Sequence, residues 1–217
     1  GIARSLSNFG TLLSAQRRPK EAEALLRRAL AIQEKHYSPD HPDILVSRNN
    51  LAQAIGAQPG RREESTQLYR RLLADRERVL GASHKSVAIS LDNLSVSLIE
   101  QEKFSEAEPL SRRALAINEA AYSPGHPFVA LSLSNLAALL DSLGRHGETK
   151  AMHERALQIR RDALGEDHPD VVISLLNFGS NALDRGDWTL AQDTLSKATA
   201  LWERRQAVLA PRLQTSE

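Results

Sequence analysis

Four histidines, His41, His84, His126 and His168, recur at intervals of 43, 42 and 42 residues. Five asparagines, Asn8, Asn50, Asn93, Asn135 and Asn177, keep the same step at 42, 43, 42 and 42. Imidazoles can ligate metal, and carboxamides both donate and accept hydrogen bonds, so each set has chemistry to offer. Recurrence once per period separates the two cases. Histidines one helix pair apart stand roughly 10 Å or more from each other, beyond a shared coordination sphere, and packing in loops is their expected role. His36, His146 and His153 have no ligand spacing either. An amide repeated on one face, by contrast, can build a ladder. No Gly-rich phosphate loop, HExxH motif or nucleophile elbow is present, and cysteine is absent, which excludes disulfides and thiolate chemistry. Neither catalytic residues nor metal nor cofactor are expected.

A fixed period in this range is the signature of a repeat solenoid in which each unit stacks only on its neighbours. In the third unit Val87, Leu91, Leu94 and Leu98 recur at helical spacing and predict an amphipathic helix A over about 86–101. Ser105-Glu106-Ala107-Glu108 reads as a capping box that opens helix B, which continues through Leu110, Ala114, Leu115 and Ile117, with a short kink expected at Pro109. In the loops, His41-Pro42, His126-Pro127 and His168-Pro169 put proline at the first position of the following helix. Gly81 and Gly165 are placed to cap helix B in a left-handed conformation. Residues 22–43 match 107–128 at 15 of 22 positions, and the extra residue between Asn50 and Asn93 falls at Gln58-Pro59-Gly60. The expected fold is all-α, with five helix pairs (1–40, 41–83, 84–125, 126–167, 168–209), ten helices in one solenoid and a tail over 210–217, the last helix stopping by Pro211.

Composition narrows the partners. Basic and acidic side chains number 28 and 27, a net charge of +1, so no global field draws in nucleic acid or an anionic membrane. No stretch approaches the apolar length of a membrane span, and the start lacks a signal-peptide layout, so a cytoplasmic location is the default expectation.

Small residues hold fixed offsets from the asparagines. Gly10, Ala52, Ser95, Ala137 and Gly179 lie two positions on, and Ala22, Ser65, Ala107, Thr149 and Ala191 start the B helices. They let helix A approach helix B closely while larger residues fill the seam. Leu133-Ser134-Asn135-Leu136-Ala137, Arg48-Asn49-Asn50-Leu51-Ala52, 106–117 and 164–170 resemble tetratricopeptide (TPR) repeats, in the long variant found in kinesin light chains and many bacterial regulatory proteins. The resemblance covers essentially the whole chain. It implies a right-handed superhelix with A helices lining a concave groove and B helices on the convex side.

In that family the helix-A asparagine commonly bonds the backbone of an extended peptide. Carried over, Asn8, Asn50, Asn93, Asn135 and Asn177 would form the ladder; alternatively each bonds a neighbouring helix and tightens the stack. Ser7, Thr11, Asn49, Gln53, Asp92, Val96, Glu100, Ser134, Asp141, Leu176, Ser180 and Asp184 share the face. The lining runs from neutral-polar to acidic and partly apolar, which suits a peptide with a basic or neutral centre. A basic stripe on helix B (Arg28, Arg71, Arg113, Arg155, Lys197, reinforced by Arg27, Arg70 and Arg112) reads as a solvated face with local pairs such as Glu23–Arg27 and Glu108–Arg112. Nucleic acid is disfavoured for want of nearby aromatics.

At the start Leu6, Phe9 and Leu13 would face no preceding unit, which points to a fragment, a covered edge or end-to-end association; Leu201, Trp202, Val208 and Leu209 do the same at the other end. The expected function is a non-catalytic scaffold for a protein or peptide partner, with a sensory or autoinhibitory segment of a larger regulator or enzyme as the alternative. Replacing Ala107 by leucine should overpack the A–B seam and lower stability by about 1–3 kcal/mol in chemical denaturation.

Overall fold

The computed structural model describes residues 1–214, with side chains described through Ala207. Ten α-helices and no strand occur among the described residues: α1 (Ile2–Ala15), α2 (Pro19–Gln33), α3 (Pro42–Gly56), α4 (Arg62–Leu80), α5 (Lys85–Ile99), α6 (Phe104–Ala121), α7 (Pro127–Ser142), α8 (His146–Leu164), α9 (Pro169–Asp184) and α10 (Trp188–Gln214). Odd-numbered helices are the A helices and even-numbered ones the B helices. Contacts divide the chain into two compact units at Ile117/Asn118, within α6.

The loop histidines have a specific task. His41, His84, His126 and His168 are the N-caps of α3, α5, α7 and α9, and each Nδ1 accepts a hydrogen bond from the backbone N–H two residues on, at 3.1–3.2 Å. This satisfies one of the orphan donors of each helix start, the service that serine or aspartate gives elsewhere. Tyr37 stacks on His41 and Tyr122 on His126, with ring centroids 4.0 and 4.1 Å apart, which holds the imidazoles in place. Pro42, Pro127 and Pro169 follow at the first helical position.

In the first unit Leu13, Ala22, Leu26, Leu51, Ala54 and Ile55 form one buried cluster and Val87, Ala88, Leu91, Ala114 and Ile117 another. The second unit packs Leu157, Val171, Val172, Leu175, Phe178, Ala198 and Leu201 together. All five small residues at the B-helix starts are buried. The glycines mark the tightest contacts: a Cβ on Gly179 would lie 2.6 Å from Leu195 Cδ2, and one on Gly10 would lie 2.8 Å from Leu26 Cγ.

Four A–B turns share one geometry. Arg17, Glu102, Gly144 and Gly186 take positive φ, and paired backbone bonds such as Arg18 N–H to Leu13 O and Arg17 N–H to Ser14 O close each helix end. The turn after α3 has one more residue and departs: Gly60 carries the positive φ, and Gln58 is buried.

The structure corrects several expectations. Helix α6 begins at Phe104, so Ser105 sits inside its first turn; Lys103 O receives the first backbone bonds, from Glu106 and Ala107, and Ser105 is no cap. Helix α10 runs past Pro211 to Gln214, so that proline does not end it; helix α6 runs unbroken past Pro109, in keeping with the expectation that this proline would not break it. Gly81 and Gly165 take positive φ (both 85°), but with ψ of 151° and 157°, an extended conformation rather than the left-handed helical one. Leu13 is buried against α2 and α3, whereas Phe9 is half exposed. The side chains of Val208 and Leu209, and residues 215–217, lie outside the described residues.

Removing one histidine cap should be measurable: His84→Ala is expected to lower stability by about 1 kcal/mol in urea denaturation, and His84→Asp to recover most of the loss.

Candidate functional site

Within the first unit the asparagines join successive A helices. Asn50 Nδ2 on α3 donates to Thr11 Oγ1 on α1 at 3.3 Å, and Asn93 Nδ2 on α5 donates to Asn49 Oδ1 on α3 at 2.8 Å. Ser7 and Ser47 hydroxyls meet at 3.1 Å between α1 and α3. The Asn49–Asn93 pair leaves two groups without a partner among the described residues, the Asn49 Nδ2 hydrogens and the Asn93 Oδ1. Asn8 is exposed on α1; in the second unit Asn135 on α7 and Asn177 on α9 are half-buried.

The structure brings Gln53, Asn93, Val96 and Glu100 together around a cleft of about 740 Å³, enclosed by the C-terminal ends of α3 and α5, the turn at Gln58–Gly60 and the start of α4. Its floor includes Gly56, Ser97 and Tyr69. Tyr69 is only 6% exposed, and its hydroxyl has no hydrogen-bond partner among the described residues. Burial, together with the Glu100 carboxylate, pushes that hydroxyl well above the usual tyrosine range. Thus the hydroxyl stays protonated and keeps a donor to offer.

The expected acids are not all open. Asp92 is buried. Asp141 is turned into contacts between α7, α8 and α9, accepting from Thr149 Oγ1 at 2.5 Å and Asn181 Nδ2 at 2.8 Å and meeting His153 Nε2 at 2.8 Å. Burial opposes its charge, but the bonds from His153, Thr149 and Asn181 outweigh that, and its carboxyl lies below the ordinary value. Glu100 pairs with Arg62 at 3.4 Å. Ser180 and Asp184 are exposed on α9, and Ser134 on α7 accepts a bond from Arg160. Of the acids expected on this face, Glu100 and Asp184 are exposed, Asp141 is half-buried and Asp92 is buried.

The basic stripe on the B helices is largely paired. Arg113 meets Glu77, Arg155 meets Glu119, Lys197 meets Asp193 and Arg70 meets Glu106, and the Glu23–Arg27 and Glu108–Arg112 pairs form as the spacing implies. No group of three or more ligating side chains that could hold a metal occurs among the described residues, and none of their helices is long and apolar enough to cross a membrane.

A tetratricopeptide-repeat family model matches residues 57–120, 93–148 and 128–204, and a second such model matches 2–43. The chain belongs to the tetratricopeptide-repeat family. A solved protein of Podosopora anserina assigned as a kinesin light chain, with nearly identical TPR-like repeats, is 25% identical; the match covers 94% of this chain and 96% of that one with a TM-score of 0.75. BtubC (BKLC) from P. vanneervenii is similar in fold at 24% identity and TM-score 0.78, over 94% of this chain and 80% of that one. The apo form of RapI shares the fold at 12% identity and TM-score 0.73, over 94% and 72%. No curated protein matches in sequence.

Against the TPR frame, the residues that sequence reasoning missed stand where the repeat is broken. Four positions after the small B-helix residue come Leu26, Tyr69, Ser111, His153 and Leu195; eleven after it come Gln33, Arg76, Asn118 and Arg160. The second set is buried, and three of its members bond a serine on the next A helix: Arg76 Nη1 to Ser90 at 2.6 Å, Asn118 Nδ2 to Ser132 at 2.8 Å and Arg160 Nη1 to Ser174 at 2.5 Å. Four residues before the asparagine, Val46, Leu131 and Ile173 expose aliphatic surface. Unequal chemistry at one repeat offset was the available signal.

The lengthened turn also draws in Glu23 of α2. Burial disfavours its charge, yet Arg61, Gln58 and Arg27 bond it strongly enough to hold its pKa at about 2. Because the folded value is depressed, the stabilisation is complete above its ordinary 4.5 and fades as pH falls from there toward about 2. Glu23→Gln should cost about 2 kcal/mol at neutral pH in urea denaturation, and the gap to wild type should close across that acid window.

Proposed function

We propose that this TPR chain is a non-catalytic interaction module that holds an extended segment of a protein partner along its A-helix face. The observation that carries this reading is the Asn49–Asn93 pair, of which Asn93 lines the cleft. One carboxamide bond is spent between helices, and what remains includes the Asn49 N–H donors and the Asn93 C=O acceptor on adjacent helices. An extended peptide backbone offers the complementary pair at every residue, so such a site reads main chain whatever the side chains are. Beside it the cleft supplies apolar surface at Val96 and an unspent donor at Tyr69, room for a partner side chain. The matched TPR models support a scaffold role, since the repeat stacks helices to present surface rather than to assemble reacting groups.

Selection of displayed 12-residue peptides tests the reading. The wild-type chain should enrich extended sequences. Asn93→Ala should bind an enriched peptide roughly fivefold more weakly and Val96→Arg should abolish binding, both with unchanged helicity by circular dichroism. Affinity indifferent to both substitutions would remove the cleft from the function.

A further inference from the structure

Where the second helix pair has Gly56 and a cleft, the fourth has Asp141. That carboxylate, at the end of α7, accepts from Thr149 Oγ1 at 2.5 Å and from Asn181 Nδ2 at 2.8 Å, and meets His153 Nε2 at 2.8 Å. The same repeat offsets around α3, α4 and α5 give Gly56 for Asp141, Ser65 for Thr149, Tyr69 for His153 and Ser97 for Asn181. All four of these line the cleft. A Cβ on Gly56 would lie 2.8 Å from Ser65 Oγ, so it would point toward Ser65 as the Asp141 side chain points toward Thr149. The flanking pair recurs as well: Arg62 meets Glu100 at 3.4 Å where His146 stands 3.9 Å from Asp184.

Of the three cleft hydroxyls, two are spent. Ser65 Oγ donates to Ala52 O at 2.7 Å, and Ser97 Oγ meets Thr66 Oγ1 at 2.7 Å. Tyr69 is 6% exposed and its hydroxyl bonds nothing among the described residues, yet the oxygen is not sealed from solvent, so a group in the cleft can reach it. Charge decides which acceptor suits it. The lining carries two acids, Glu63 and Glu100, and one cation, Arg62, which the Glu100 carboxylate and backbone carbonyl already hold. An entering carboxylate would meet one neutral donor and the repulsion of Glu100. A carboxamide has the same shape without the charge. Its oxygen accepts from the tyrosine, and its NH2 donates to Glu100, which keeps lone pairs beyond its contact with Arg62. Val96 and Pro59 offer apolar surface to the methylenes behind it.

We infer that the cleft is a carboxamide subsite, taking the side chain of an asparagine or glutamine of the partner peptide with its oxygen on Tyr69 and its amino group toward Glu100. This rests on the interaction-module reading and names the side chain that the cleft selects. Gly56 keeps the subsite open, since a side chain there would enter the space that Asp141 takes in the fourth pair.

The 12-residue display library, selected on the whole chain, supplies the probe. Pools from wild type should share an asparagine or glutamine. An enriched peptide remade with leucine at that residue should bind wild type roughly tenfold more weakly, and one remade with aspartate or glutamate at least as weakly. These arms need no variant protein. Tyr69→Phe removes only a hydroxyl that bonds nothing within the described chain. It should weaken the carboxamide peptide roughly fivefold, and so narrow the gap between it and the leucine peptide, with helicity unchanged by circular dichroism. A pool with no common amide residue, carboxylate peptides that bind as well as carboxamide ones, or a gap unaltered in folded Tyr69→Phe would overturn the subsite and leave the module intact. Absence of any enriched peptide would overturn both.

Discussion

Close approach of helix A to helix B is the constraint on which the structure depends. At Gly10 and Gly179 not even a β-carbon has room, and the start of each B helix carries alanine, serine or threonine with almost no exposure. A contact this short cannot slide, because interiors are packed at crystal-like density and an added methylene must displace a neighbour. It fixes where every other offset in the 42-residue unit lands. The buried apolar clusters follow from it, and so does the exposure of one face of each A helix. Histidine caps then fix where each A helix begins, with an imidazole doing work usually given to a shorter side chain.

Within so uniform a frame, chemistry lives in the departures. One extra residue after α3 moves the positive φ to Gly60, bonds the buried Gln58 to Glu23, and borders a cleft that Asn93 also lines. The slot that holds Leu26 in the first helix pair holds Tyr69 in the second, where the ring is buried and the hydroxyl is unspent, and His153 in the fourth, where Asp141 occupies it. Unequal residues at equivalent offsets give each helix pair its own chemistry.

The architecture was legible because periodicity is a property of the sequence itself: the asparagine and histidine steps, the proline positions and the small-residue offsets all land where the helices require them. The site was only partly legible. Helix-A position told which residues share a face, but not which of them are spent. Asp92 and Asp141 are acids on that face by register, yet one is buried and the other is consumed by Thr149, His153 and Asn181. Nor could spacing along α8 reveal that Arg160 reaches between α7 and α9, since a long side chain ends several ångströms from the face its Cα belongs to.

The arginines make the distinction between stack and site concrete. Arg27, Arg112 and Arg155 are solvated and each lies beside an acid, a pattern that adds little to stability and leaves little charge to recognise. Arg76 and Arg160 were placed under the helices with hydroxyls for company, although asparagine at the equivalent Asn118 makes the same bond to its serine without a charge. If bridging helices were the whole task, the neutral side chain would suffice and the desolvation cost would be avoided. Burial disfavours the charge of both guanidinium groups, so each of these bridges is made at a cost that the Asn118 bridge does not carry.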